Sequence, residues 1–284
     1  MSFTPRALAL GDTGYPSALH DLKDPPKTLW YVGDLGILSA PCVAIVGTRR
    51  ATNYGERVAR ELAISLARAG ACVVSGMALG IDGAAHRGAL EVGGKTVAVL
   101  GTGVDIAYPT SHRALHADIA SSGLLLSEMP PGAHSHGGSF PQRNRIIAAL
   151  ARLTIIVEAP VKSGARWTAE FATELNRDLA VVPGPIDSPQ SEYSNLLLRD
   201  GAHGIMSPAD ALMLLGLTQP VRSSIDPEDA DQALIWRALR DGPADLDTLC
   251  HRASLPVQRC LTAVTALELS GAVECALTGE VRRR

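Results

Sequence analysis

From residue 41 onward, short apolar runs alternate with stretches in which apolar residues recur every three or four positions. That alternation predicts a parallel sheet joined by crossover helices. Six runs are expected as strands: CVAIVG (42–47), ACVVSG (71–76), KTVAVLG (95–101), GLLLSE (123–128), LTIIVEA (153–159) and LAVVPG (179–184). They are apolar almost throughout, so both faces of the sheet should be covered, as in a Rossmann-like, doubly wound, mostly parallel α/β fold. Between the first two runs, Val58, Leu62 and Leu66, flanked by Ala59, Ala63 and Ala67, predict a helix with one apolar face, ended by Gly70.

After SPADALMLLGL (207–217) the pattern changes. Residues 218–231, polar and with two prolines, read as a linker. Residues 232–284 then predict a small winged-helix-like domain: a helix around QALIWRAL, two more helices with Asp245 and Ser254 as N-caps, and a hairpin turning at Thr278 and Gly279 after Gly271. Residues 1–40 are turn-rich and too short to fold alone, so they should pack as an extension on the core domain, 41–217.

The unusual residues fall at strand ends. Gly47, Thr48, Arg49 and Arg50 follow the first strand, Ser75 and Gly76 the second, with Gly80 just beyond; Gly101, Gly103 and Tyr108 follow the third. Ser127 and Glu128 close the fourth strand and Glu158 the fifth, with Lys162, Ser163, Gly164 and Thr168 after it. This carboxyl edge is where open α/β sheets bind ligands, because helix N-termini point their free N–H groups there. Gly76 and Gly80 are expected to let a ligand backbone approach, and Asp82 to cap the next helix, with His86 as a packing residue. In FPQRNRIIAAL (140–150), Phe140 and Pro141 close a loop, and Arg143, Asn144 and Arg145 are expected in the first turn of a helix. Cations there oppose the helix dipole, so two of them imply an anion on the same rim as Arg49. Several phosphate-sized sites along one edge fit a polynucleotide backbone.

Charge narrows the picture. The net charge is −3, so any polyanion site must be a local patch. The five cysteines, Cys42, Cys72, Cys250, Cys260 and Cys275, lack C-x-x-C spacing and read as small core residues, with no metal site or disulfide framework expected. No signal peptide or membrane-length apolar run is recognisable, so a cytoplasmic protein without a membrane partner is expected. The dinucleotide fingerprint G-x-G-x-x-G is absent after the first strand, and ALEVGGKT (89–96) runs from helix into strand, the reverse of a phosphate loop. No cofactor is expected. His134 and His136 read as parts of a solvated loop.

Eight blocks in fixed order, AIVGTRRATNYG, SGMALGIDGAAHRGAL, GTGVDIAYP, LLLSEMPPG, FPQRNRIIAAL, IVEAPVKSG, TAEFATEL and VPGPID, resemble the DNA processing protein A (DprA) family of bacterial natural transformation. The likeness runs from about residue 12 to 215, and the C-terminal unit lies where many members carry a winged-helix-like domain. The resemblance implies a dimeric, non-enzymatic single-stranded DNA-binding protein that protects incoming DNA, helps displace single-strand-binding protein and loads the RecA recombinase. It implies strand-binding loops at Gly47 to Arg49, at Ser75 and Gly76, from Gly101 to Tyr108 and from Phe140 to Arg145. Thr48 stands where serine is commoner, Trp167 interrupts a stretch of small or aliphatic residues, and Asn176 and Tyr193 replace usual glycines.

Two other readings are weighed. One is an enzyme acting on a small nucleotide-derived ligand at the same rim, with Glu158 or Glu170 as acid or base. The other gives the C-terminal unit a docking or dimer-supporting role: its expected recognition helix, 255–269, carries Arg259 as its one cation, with the basic run at 282–284 as a possible wing.

Overall fold

The structure, a computed structural model, describes residues 4–217, 229–269, 271–276 and 279–283. The chain divides into two units, residues 1–219 and 220–284.

The first unit is built on a nine-stranded sheet. All six expected strands form, as β3 (Cys42–Val46), β4 (Cys72–Ser75), β5 (Thr96–Leu100), β6 (Leu124–Ser127), β7 (Leu153–Ile156) and β8 (Asp178–Val181). A two-residue strand, β9 (His203–Gly204), follows β8 in parallel. The 1–40 segment does more than pack on the core: β1 (Arg6–Ala9) and β2 (Thr28–Gly33) pair antiparallel and extend the sheet beside β6. Strand order is β1-β2-β6-β5-β4-β3-β7-β8-β9. The chain winds outward from β3 to β6 and then returns to the other side of β3 at β7. The reversal between β3 and β7 opens a crevice at their carboxyl ends.

Alternate strand residues supply opposite faces. Val43, Ile45, Val73 and Ile155 pack against α1 (Asn53–Arg68), α2 (Ile81–Glu91) and α7 (Pro208–Leu214). Ala44, Val46, Val74, Val99 and Ile156 pack against α4 (Ser139–Leu150) and α5 (Ala165–Glu174) on the other side. α3 (Arg113–Ser122) covers the β5–β6 end through Leu115 and Ile119. The α1 stripe is the expected one, with Ala59, Leu62, Ala63, Leu66 and Ala67 buried. Each buried leucine there contributes about 1.5–3 kcal/mol. Gly70, at φ +87°, ends the helix with its N–H on the Ala67 carbonyl. α6 (Glu192–Arg199) completes the unit.

The second unit holds α8 (Ala230–Ala238), α9 (Leu246–Ala253), α10 (Val257–Leu269) and the hairpin β10 (Val273–Cys275) with β11 (Val281–Arg283), a winged-helix arrangement. Its core is Ile235, Leu249, Cys260, Val264 and Leu267 among others. Asp245 caps α9 by accepting from the Thr248 N–H at 2.8 Å. Ser254 is not an N-cap: it closes α9 in the left-handed region at φ 52°. α8 begins at Ala230, inside the stretch expected as linker; residues 218–228 and Thr278 lie outside the described residues. On the expected wing, Arg282 pairs with Glu274 and Arg283 lies 4.1 Å from the centre of the Trp236 ring; Arg284 lies outside the described residues.

Candidate nucleic-acid interface

The loops after β3 and β7 meet at the crevice and are tied together. The Thr48 N–H donates to the Glu158 carbonyl at 2.7 Å. The Glu158 side chain, itself buried, accepts from the Thr52 N–H at 2.9 Å and from the Thr52 hydroxyl at 2.6 Å. Thr52 is the N-cap of α1, so this carboxylate sits at a helix N-terminus, where negative charge is favoured. A Cβ on Gly47 would lie 2.5 Å from Ile81 and 2.7 Å from the Glu158 carbonyl, which leaves glycine as the residue that fits. The β3–α1 loop is thereby pinned from below, and Arg49 and Arg50 project from it, both exposed.

A cleft of about 480 Å³ opens above this pin. Its lining includes Gly47, Thr48, Arg49 and Arg50, then Phe140, Arg143 and Asn144 from α4, then Lys162, Ser163, Gly164 and Thr168 around the start of α5. A smaller recess adjoins it, sharing Arg49, Phe140 and Arg143 and adding Gly76, Gly101 and Tyr108. The Arg49 guanidinium stands 5.0 Å from the centre of the Phe140 ring, and the Tyr108 ring lies 5.4 Å from Phe140 on centroids, tilted by 33°. A cation, an aromatic and a half-exposed phenol therefore form a row along the rim. Such a row offers charge for phosphate and flat surface for bases.

Arg143 works differently from expectation. α4 starts at Ser139, so Arg143, Asn144 and Arg145 lie in its second turn. Pro141 falls in the first turn, where its missing N–H costs no helix hydrogen bond. Arg143 is buried and donates to the Gly76 carbonyl at 2.7 Å and to the Val99 carbonyl, with its Nε on the Asn144 Oδ1 at 3.1 Å. Burial lowers its pKa to about 10, with the Asp82 carboxylate opposing that shift. It clamps the ends of β4 and β5 while showing one edge to the cleft. The space that Gly76 frees is taken by this guanidinium rather than by a ligand, since a Cβ there would meet Arg143 Nη2 at 2.5 Å. Gly101 makes room in the same way for the Phe140 ring, 2.9 Å from such a Cβ.

Arg145 is the clearest departure. Two residues beyond Arg143 on a helix, it points to another side and donates to both oxygens of Glu128 at 2.6 and 2.7 Å. It is buried against this carboxylate and lines neither the cleft nor the recess. Ser75, Gly80 and Gly103 also stay out of both. The Ser75 hydroxyl donates to the Ile45 carbonyl at 2.7 Å. Gly80, at φ +70°, passes under the Thr48 and Arg49 backbone, and the Gly103 N–H donates to the Ala133 carbonyl at 2.8 Å.

Asp82 lies inside the first turn of α2 rather than capping it, because its carboxylate turns back to accept from Gly76 N–H at 3.1 Å and Ala78 N–H at 3.4 Å. Burial raises its pKa, with Arg143 opposing. His86 is a packing residue: fully buried, its Nδ1 lies 2.7 Å from the Thr96 hydroxyl, and burial lowers its pKa to about 3. Glu170 is held by Arg166 one turn away. Asn144 bridges α4 to the next loop through the Gly164 carbonyl at 3.1 Å. Among the further side chains that line the cleft are Asp82 and Trp167. A large aromatic in the first turn of a helix that follows a strand end was the available signal for Trp167.

A family model described as DNA recombination-mediator protein A matches residues 6–216, and one described as DprA winged helix domain matches residues 219–276. Protein Smf of Synechocystis sp. is 43% identical over 216 residues, 75% of this chain and 54% of that protein, so the chain spans about half of that relative's length. A putative DNA processing protein DprA of Mycobacterium tuberculosis is 40% identical over 260 residues, covering 88% of this chain and 67% of its own. Among solved structures, DNA processing protein A from Streptococcus pneumoniae has a TM-score of 0.71 at 39% identity, covering 73% of each chain. That from Helicobacter pylori, described for its single-stranded DNA binding mode, has a TM-score of 0.69 at 37% identity, covering 76% of this chain and 98% of its own.

Proposed function

The chain belongs to the DNA recombination-mediator protein A family, and from that premise we propose that its cleft binds single-stranded DNA and that the protein loads the RecA recombinase onto it during natural transformation. It acts without catalysis, in the cytoplasm, as a homodimer. The observation that carries the reading is the row of Arg49, Phe140 and Tyr108 at the carboxyl edge of the sheet, continued into the cleft by Arg50 and Lys162. Exposed cations beside ring faces suit an unpaired strand, whose bases are free to stack while its phosphates are neutralised. A solved relative is described for binding single-stranded DNA, which supports the same ligand here.

The enzymatic alternative finds little support in the carboxylates it needs. Glu158 is engaged by Thr52 at the α1 cap, and Glu170 by Arg166. The test of the proposal is loading: on single strands coated with single-strand-binding protein, the purified protein should speed RecA filament growth. Unchanged filament growth, with strand binding intact, would remove the mediator role.

A further inference from the structure

Trp167 lines the same cleft as Arg49, Arg50 and Lys162 but takes no part in the core. The buried face of α5 is Ala165, Thr168, Ala169 and Ala172, and Trp167 projects off it with 47% of its surface exposed. Among the described residues its ring has no aromatic or cation partner, unlike Phe140, which already has Arg49 over it and Tyr108 beside it. The other two tryptophans are engaged as well. Trp30 packs from β2 against the cluster of Leu100 and Leu125, and Trp236 lies under Arg283. A large apolar ring left facing a cation-lined cleft gains most when something flat covers it.

We infer that Trp167 is a second stacking platform, which takes a base of the same unpaired strand whose phosphates Arg50 and Lys162 neutralise. The inference rests on the strand-binding reading above and extends the bound track from the Tyr108–Phe140 row across the cleft to the start of α5. Stacking is tolerant of base identity, because every base has a π-face, so the platform adds affinity with little sequence preference.

The test is a titration of the full chain with a dT oligonucleotide, followed by strand anisotropy and by intrinsic tryptophan emission. Wild-type emission should be quenched on binding. Trp167→Phe should bind nearly as tightly and lose the quench, since Trp30 and Trp236 remain. Trp167→Ala should bind about tenfold more weakly, and that penalty should vanish on an abasic strand, which a merely structural role would not produce. Circular dichroism and the thermal midpoint identify any variant that is unfolded. If the wild type binds but Trp167→Ala binds equally well and Trp167→Phe keeps the quench, the platform is overturned and the strand-binding reading stands. A wild type that binds no single strand overturns both.

Discussion

Arg145 Nη2 lies 2.6 and 2.7 Å from the two carboxylate oxygens of Glu128, and this grip separates it from Arg143, its neighbour but one on α4. The two arginines thus have different work. Arg143 clamps the strand ends under the cleft, and Arg145 fastens α4 to the end of β6. Arg145→Ala should leave strand affinity and its salt dependence unchanged. It should lower stability by about 2 kcal/mol, less than the ~3–5 kcal/mol of a fully buried pair, because Glu128 keeps some contact with water. Urea midpoints and dT binding of the one variant check both halves.

Arg49→Ala should do the opposite. Its guanidinium is exposed and rests on the Phe140 ring, so on the proposed reading its loss should remove a phosphate contact and a ring partner while leaving the fold in place. Binding should weaken, and the slope of log K against log salt should flatten by about 0.7. A slope equal to wild type would remove Arg49 from the interface.

Glu158 is a structural carboxylate on this account. Glu158→Gln keeps an acceptor for Thr52 but removes negative charge from the α1 N-terminus, which costs about 0.3–1 kcal/mol. The thermal midpoint should fall slightly. Incubation with nucleoside monophosphates should give no turnover in either form; turnover abolished by the substitution would restore the enzymatic alternative.

His86 sets a pH dependence whose direction follows from its burial. Its folded pKa of about 3 lies below the ordinary 6.5, so between those values the unfolded chain binds more protons than the folded one. Stability attributable to His86 is therefore complete above about pH 6.5 and is lost as pH falls toward 3, by up to about 1.4 kcal/mol per pH unit. Urea midpoints at pH 7, 5.5 and 4.5 should decline more steeply for wild type than for His86→Gln. Parallel declines would show that the imidazole does not contribute.

Much of this was legible in the chain, and the reasons for the exceptions are physical. The six inner strands were visible because a strand buried on both faces is apolar at every position, as in Val43, Ala44 and Ile45. β1 and β2 were hidden because β1 is exposed apart from Leu8, and a turn-rich stretch with Pro25 and Pro26 leads into β2. Pro141 reads as a breaker unless it falls in the first turn, so the pattern puts the start of α4 later than Ser139. Proximity in sequence groups Arg145 with Arg143, but positions two apart on a helix diverge, a signal that spacing alone supplies. Trp167 stands out in its stretch of small residues, but only the folded chain brings it into one cleft with Lys162 and Arg50.

The second unit adds a separable expectation. Arg259 of α10 is paired with Asp231, Arg282 with Glu274, and Arg283 with the Trp236 ring. With the cations of α10 and of the hairpin so engaged, a chain ending at residue 217 should bind single strands as tightly as the full chain. A large loss would assign strand contact to the winged-helix unit.

The most direct test of the cleft as a polyphosphate site is a salt titration of the triple variant Arg49→Ala, Arg50→Ala, Lys162→Ala beside wild type, on single-stranded and duplex DNA. Wild type should prefer the single strand, with affinity falling steeply as salt rises, and the triple variant should lose about two units of slope, roughly 0.7 for each contact removed. Equal slopes, or a wild type that favours duplex, would contradict the account.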